Sequence, residues 1–298
     1  MKTLLFIALL ISTFSWGQII SNEEGHALGE RTSFNPEYIK KNKIKRISGE
    51  FMTKRTGQNM RTNGLKRVYE FDTEGRMIKS YETIKENGKL DTVVTMFEYN
   101  AEGQLTSERF SDKHGFSAYI YTYDSIGRPT STEFYRLKNK NGRKIDFEIG
   151  EKYLVSTERY TYKKVSGKER QVVYNNMNLP YKYRTETVDS IGFKVEEYEK
   201  YDKSTHLKRT KYFYNYEARI DSVSIEVKDP RRSMTIITYR YDEHGNVDTR
   251  NEYKDGKYLY KTEVIYDRAT YRIDYIMRRD VITHEFTILK LLDYELYD

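Results

Sequence analysis

One short motif recurs along this chain: an aromatic residue, Asp or Asn, two further residues and glycine. Four copies are plain, at Phe71-Asp72-x-x-Gly75, Tyr99-Asn100-x-x-Gly103, Tyr123-Asp124-x-x-Gly127 and Tyr241-Asp242-x-x-Gly245. Each follows an alternating aromatic stretch and precedes a polar alternating one, the sequence form of a β-hairpin. The Asp or Asn side chain can accept nearby backbone N–H groups, and glycine tolerates positive φ. A hairpin repeated this often excludes a helical domain. It also favours a surface over an obligatory cleft, because each repeat packs only on its neighbours.

Weaker copies keep the phase. Asp189-x-x-Gly192 is clear, and Tyr162-Lys163 leads to Gly167 in a degenerate copy. Tyr214-Asn215-Tyr216-Glu217-Ala218 has alanine at the glycine position, and Tyr266-Asp267-Arg268-Ala269-Thr270 follows. The spacing is 24–28 residues, with one interval of 40 from Gly127 to Gly167. One residue before the Asp or Asn stand Phe71, Tyr99, Tyr123, Tyr214, Tyr241 and Tyr266; three before stand Tyr69, Phe97, Tyr121, Tyr212, Tyr239 and Val264. Residues two apart on a strand share a face, so the copies build an aromatic stripe. Second loops at Asn87-Gly88, His114-Gly115 and Asp255-Gly256 return the chain, giving about 15 to 18 antiparallel strands. The expected fold is all-β: an elongated antiparallel hairpin-repeat meander, twisted or curled.

The flanks read differently. Lys2, the apolar run Leu4–Ile11 and Ser15-Trp16-Gly17 form a secretory signal, so residues 1–17 are expected to be removed, leaving Gln18 first. Residues 18–64 are a lead-in with a short helix, Asn35 as N-cap and Pro36 in the first turn, then an opening hairpin. Repeats occupy 65–280, with a longer or extra hairpin inserted at 136–152, and 281–298 form a cap strand over the open end of the sheet.

Composition limits the chemistry. Zero cysteines exclude disulfides, thiolate metal sites and cysteine nucleophiles. The five histidines have no ligand spacing, and no phosphate loop, dinucleotide fingerprint or nucleophile elbow occurs. No catalytic, cofactor or metal residue is assigned. The net charge is +7, and loss of Lys2 leaves 51 − 45 = +6, but the basic runs are short and separate, so no nucleic-acid footprint is expected. No later stretch is apolar enough for a membrane-spanning helix.

Tyr119-Ile120-Tyr121-Thr122-Tyr123-Asp124-Ser125-Ile126-Gly127-Arg128 and Thr238-Tyr239-Arg240-Tyr241-Asp242-Glu243-His244-Gly245-Asn246 resemble the YD repeat of Rhs and teneurin-type proteins. The broader look is similar to secreted, tyrosine-rich repeat proteins of Bacteroidetes. The resemblance covers roughly residues 65–267 and implies hairpins, not a chemistry. Rhs proteins close a β-shell around a toxin. Here the strands are expected to be too few to enclose a domain, and no self-cleaving segment is seen, so that function is not carried over.

The leading expectation is an exported, non-enzymatic β-repeat protein, periplasmic or secreted, that offers a binding or scaffold surface. The alternatives are a glycan-binding or glycan-processing envelope protein and an adaptor or immunity partner in a polymorphic-toxin system. The stripe residues Tyr69, Tyr99, Tyr121, Tyr123, Tyr239 and Tyr241 form the candidate ligand-contact surface, for a glycan or an envelope protein; the competing role for the same rings is the core of the sheet.

Overall fold

The computed structural model describes residues 18–29 and 31–298; the expected signal, 1–17, lies outside the described residues. One helix, α1 (Pro36–Lys41), precedes the strands, with Asn35 Oδ1 accepting from Glu37 N and Pro36 in the first turn as the sequence predicts. The strands follow in order: β1 (Ile44–Arg55), β2 (Arg61–Phe71), β3 (Met77–Glu86), β4 (Lys89–Tyr99), β5 (Leu105–Asp112) and β6 (Gly115–Tyr123). Next come β7 (Pro129–Asn139), β8 (Ile149–Val165), β9 (Lys168–Tyr174), β10 (Pro180–Val188), β11 (Lys194–Tyr201) and β12 (Leu207–Tyr214). The last are β13 (Ile220–Asp229), β14 (Arg231–Tyr241), β15 (Val247–Lys254), β16 (Lys257–Tyr266), β17 (Ile273–Asp280) and β18 (Glu285–Leu296).

Every neighbour pair is antiparallel, and β18 also pairs with β1, from Arg55↔Glu285 to Ile44↔Leu296. The sheet is therefore a closed ring of 18 strands among the described residues, not an open meander. Segment 281–298 supplies the strand that closes the ring rather than a cap over an open edge. A bulge accompanies most motif turns. Phe71 pairs with Met77 and Glu70 with Lys79, so Ile78 is skipped; Thr106, Thr130, Asp221, Asp248 and Asp274 are skipped in the same place in later copies. Bulges bend and twist a strand pair, and repeated at one level they curl a meander into a barrel.

The turns are built alike. Asp124 Oδ1 accepts from Ile126 N and Arg128 N at 3.1 and 2.9 Å, while Gly127 N donates to Asp124 O. Asn100 and Asn215 accept the equivalent bond from Gln104 N and Arg219 N. Only the Arg128 Nε–Asp124 Oδ2 contact, 2.8 Å, needs a carboxylate. Asp124→Asn should therefore be mild, because a solvent-screened ion pair contributes little to stability. Equal melting temperatures within a few degrees would agree; a large drop would mean the carboxylate has a further partner.

Two weak copies are corrected. Ser166 and Gly167 both have positive φ, 51° and 79°, as do Asn87 and Gly88, so Gly167 belongs to a two-residue hairpin turn. The last turn is one residue longer than read, with Tyr271, not Thr270, at positive φ. Ala218 does occupy the glycine position, at φ 61°. The insertion is a longer hairpin, not an extra one: β7 and β8 pair as far as Asn139↔Ile149, and residues 140–148 fold back over the outer face of the sheet. Phe147 packs on Phe116, and Lys79 Nζ holds Asp146 at 2.9 Å.

The aromatic stripe faces the lumen. Segment 18–35 meets it on opposite walls: Phe34 packs edge-on to Tyr69 and Phe71 of β2, while Tyr239 Oη of β14 donates to Gly25 O at 2.6 Å. Ile19, Ile20, Ala27, Leu28, Phe34 and Ile39 join Ile47, Val223, Val247 and Leu289 in the main core. The expectation of too few strands to enclose anything is thus wrong: the ring encloses the chain's own lead-in.

Candidate functional site

The repeat tyrosines do a second job, visible only in three dimensions. The hydroxyl just before most motif turns donates to the backbone carbonyl two residues past the preceding turn's left-handed residue; Val188, before the Asp189 turn, has none. Tyr99 reaches Met77 O (2.9 Å), Tyr123 reaches Leu105 O (2.6 Å), Tyr214 reaches Lys194 O (2.8 Å) and Tyr241 reaches Ile220 O (2.6 Å). Tyr266 and Tyr294 repeat the bond to Val247 and Ile273 at 2.8 Å. Phe71, in the first copy, has no preceding motif turn to reach; its own carbonyl accepts from Tyr297 Oη at 2.5 Å. The hydrogen bond recurs wherever the next copy places a phenol across from that carbonyl, giving a backbone acceptor a side-chain donor.

The six stripe residues named from the sequence are not gathered into one site. Tyr69 and Tyr239 are each 3% exposed and hold the enclosed segment, Tyr69 against Thr32 Oγ1 at 3.0 Å. Tyr241 also accepts from Asn22 Nδ2, 2.9 Å. Tyr99 and Tyr123 are half-buried and make the inter-copy bond. Tyr121 joins a wider polar network. Its hydroxyl lies 3.5 Å from Glu108 Oε2, and Glu108 pairs with Arg31 of the enclosed segment at 2.7 Å.

That network continues round the wall. Tyr121 is in register with Thr132, and Thr132 with Glu158. Tyr160 Oη contacts Thr132 Oγ1 at 2.8 Å and donates to Glu158 at 2.9 Å; Tyr181 also donates to Glu158. Tyr181 faces inward because a register shift lies between Pro180 and Lys182. Its ring meets Tyr201 at 5.8 Å. Lys182 and Arg184 follow on the lumenal side of β10, with Arg184 Nε on Glu199 at 2.6 Å. Beyond Arg184 a cavity of about 470 Å3 is lined by Tyr162, Gln171, Glu169, Glu186 and Glu197. This half-buried tyrosine–carboxylate–cation wall, β8 to β11, was missed from sequence. Its signal was the alternation Lys182-x-Arg184-x-Glu186 beside Tyr181.

Burial shifts the titrating groups. It pushes the Tyr160 hydroxyl up to about 12 and raises Tyr181, with Glu158 adding to the latter. Burial, with Arg184 nearby, lowers Lys182 against the pull of Glu158 and Glu199. Tyr99, Tyr212 and Tyr241 are also pushed to about 12, mainly by burial. A phenol whose folded value lies above its unfolded value of 10.0 supports the fold fully below pH 10, and that support is lost as pH rises toward 12. We expect cooperative alkaline unfolding across this window, with tyrosinate absorbance appearing together with loss of the β signal in circular dichroism. Gradual ionisation near pH 10 with the fold intact would contradict buried hydroxyls.

Among the described residues no group of three or more His, Asp or Glu side chains is placed to hold a metal ion. No family model matches the chain, and no curated protein matches it. Solved structures with some likeness include porin-like proteins from Bacteroides uniformis (10% identity, TM-score 0.39) and Bacteroides vulgatus (11%, 0.36), each alignment covering 85% of this chain and 98% of the other. The Photorhabdus luminescens Tc holotoxin pore aligns at 10% identity and TM-score 0.22, over 84% of this chain but 22% of its own. At such scores none of them informs the function of this barrel.

Proposed function

We propose that this is an exported, non-enzymatic barrel that works in water, in the periplasm or outside the cell, and that its lumen wall from β8 to β11 is a binding surface. The observation that carries this is the charge on its outside. Glu50, Arg109, Glu133, Arg170, Lys261 and Lys290 lie within the strands on the face opposite the stripe. A lipid-facing barrel carries an apolar band about 25 Å tall, and each Arg or Lys at the bilayer midplane costs about 2–4 kcal/mol. Residues 18–298 should therefore stay monodisperse without detergent and remain at the bottom of a lipid-vesicle flotation gradient. Floating with the vesicles, or a need for detergent, would defeat this reading.

A glycan is the favoured ligand class. Tyr160, Tyr181 and Tyr201 are half-buried on the lumenal side with Glu158 and Glu199 beside them, an apolar ring face next to hydrogen-bonding groups.

A further inference from the structure

The ring is closed, yet one strand outruns its neighbour. β8 pairs with β7 from Asn139↔Ile149 to Ser131↔Arg159, but with β9 only from Arg159↔Tyr174 to Val165↔Lys168. The short β9–β10 hairpin turns at Asn175–Leu179, where Asn176 Oδ1 accepts from Thr157 N. From Ile149 to Ser156, therefore, β8 has a strand on one side and none on the other among the described residues. Such an edge presents backbone N–H and C=O groups that template a further strand. Tyr153, Leu154 and Val155 follow one another along it, each about half exposed, and Met177 and Leu179 stand out from the turn beside it. Consecutive large apolar side chains left in water on a free edge mark a contact surface.

We infer that this edge pairs with the same edge of a second copy of the chain, antiparallel and about a two-fold axis at Tyr153. Length favours that axis. The gap runs from Ile149 to Thr157, where the turn closes it, and its midpoint is Tyr153. With Tyr153 opposite itself, Ile149 reaches the partner's Thr157, so each protruding stretch fills the gap below the other copy's short hairpin. Charge favours it too. In this register Lys152 faces the partner's Leu154 and Glu151 faces the partner's Val155, whereas an axis at Lys152 or Glu151 would set like charges against each other. An axis at Leu154 would drive Ile149 against the partner's Arg159, which already pairs with Tyr174. The stretch is thus complementary in length and charge to itself, as an isologous contact requires.

The contact is separate from whatever the lumen holds, and its test is the oligomeric state of residues 18–298. Sedimentation velocity at rising concentration should show monomer passing to dimer with a dissociation constant on the order of 10–100 µM, because so short an edge buries less than a standard interface. Leu154→Lys sets an ammonium opposite the partner's Lys152 twice over and should weaken the dimer about tenfold or more. Its melting temperature, measured on the monomer, should not change, because Leu154 is already exposed. Tyr153→Cys should give a disulfide-linked dimer under mild oxidation, since Cα atoms directly opposite on antiparallel strands stand about 5 Å apart, within reach of a disulfide. Tyr216→Cys, at a 96% exposed position on the motif-turn rim, should not. The proposal is overturned if the protein stays monomeric well above that concentration, which would leave the edge to a strand from another protein. It is also overturned if Leu154→Lys dimerises as wild type does, or if Tyr216→Cys cross-links as fast as Tyr153→Cys.

Discussion

Gly75→Val should destabilise the protein by at least about 3 kcal/mol, while Gly88→Val should cost only about 1–2 kcal/mol. Both glycines have φ +79°, so the backbone penalty is shared. The difference is what a side chain would meet. A Cβ at Gly88 has nothing within 4 Å, whereas at Gly75 it would stand 2.0 Å from Pro36 O and 2.8 Å from Lys40 N, inside the backbone of α1. The first motif turn is thus the seat of the helix that leads the chain into β1. Denaturant midpoints of the two variants measure the contrast. Equal losses would mean that α1 does not dock on this turn.

Tyr239→Ala should cost about 3–5 kcal/mol, the range for removing a large buried ring. Tyr239 is 3% exposed, sits in the main core and donates to Gly25 O from the opposite side of the lumen wall's curve. Tyr239→Phe keeps the ring and strands that carbonyl, for about 1–3 kcal/mol. Tyr123→Ala, at a half-buried ring whose hydroxyl serves only Leu105 O, should lose less than Tyr239→Ala. Thermal or denaturant melts of the three variants decide the order. A Tyr239→Ala protein as stable as wild type would mean that segment 18–35 does not fill the lumen.

Much of the fold was legible because it is local. The Asp/Asn–glycine turns, the strand phase and the Asn35–Pro36 helix start depend on residues within a few positions of one another, and each stands where the sequence places it. Closure was not legible. It depends on the skipped residues at Ile78, Thr106, Thr130 and their equivalents, whose identities vary from copy to copy and which obey no side-chain pattern. Asn178 shows a related limit. It takes φ 57° in a turn of the motif's geometry at Asn175–Leu179, but without glycine the turn left no mark.

The stripe was legible as a stripe, yet its two roles, core and inter-copy hydrogen bond, required knowing which carbonyl lies across the next hairpin. The wall around Lys182 was less legible still. Lys182, Arg184 and Glu186 read as ordinary solvated charges until the ring closes and turns that face inward. Tyr181 joins them only because the register shifts there.

The central claim is that the outside of this barrel meets water and its inside meets the ligand. The chain has no cysteine, so single cysteines can report on each face. Lys261→Cys and Glu133→Cys, both on the outer face, and Thr235→Cys, on the lumenal face, should be made in residues 18–298 and reacted with a bulky membrane-impermeant maleimide in the presence of lipid vesicles. The account predicts rapid, complete labelling at the two outer positions, unchanged by lipid, and slow labelling at Thr235. Protection of the outer cysteines by vesicles, with fast labelling inside, would describe a lipid-embedded pore and contradict it.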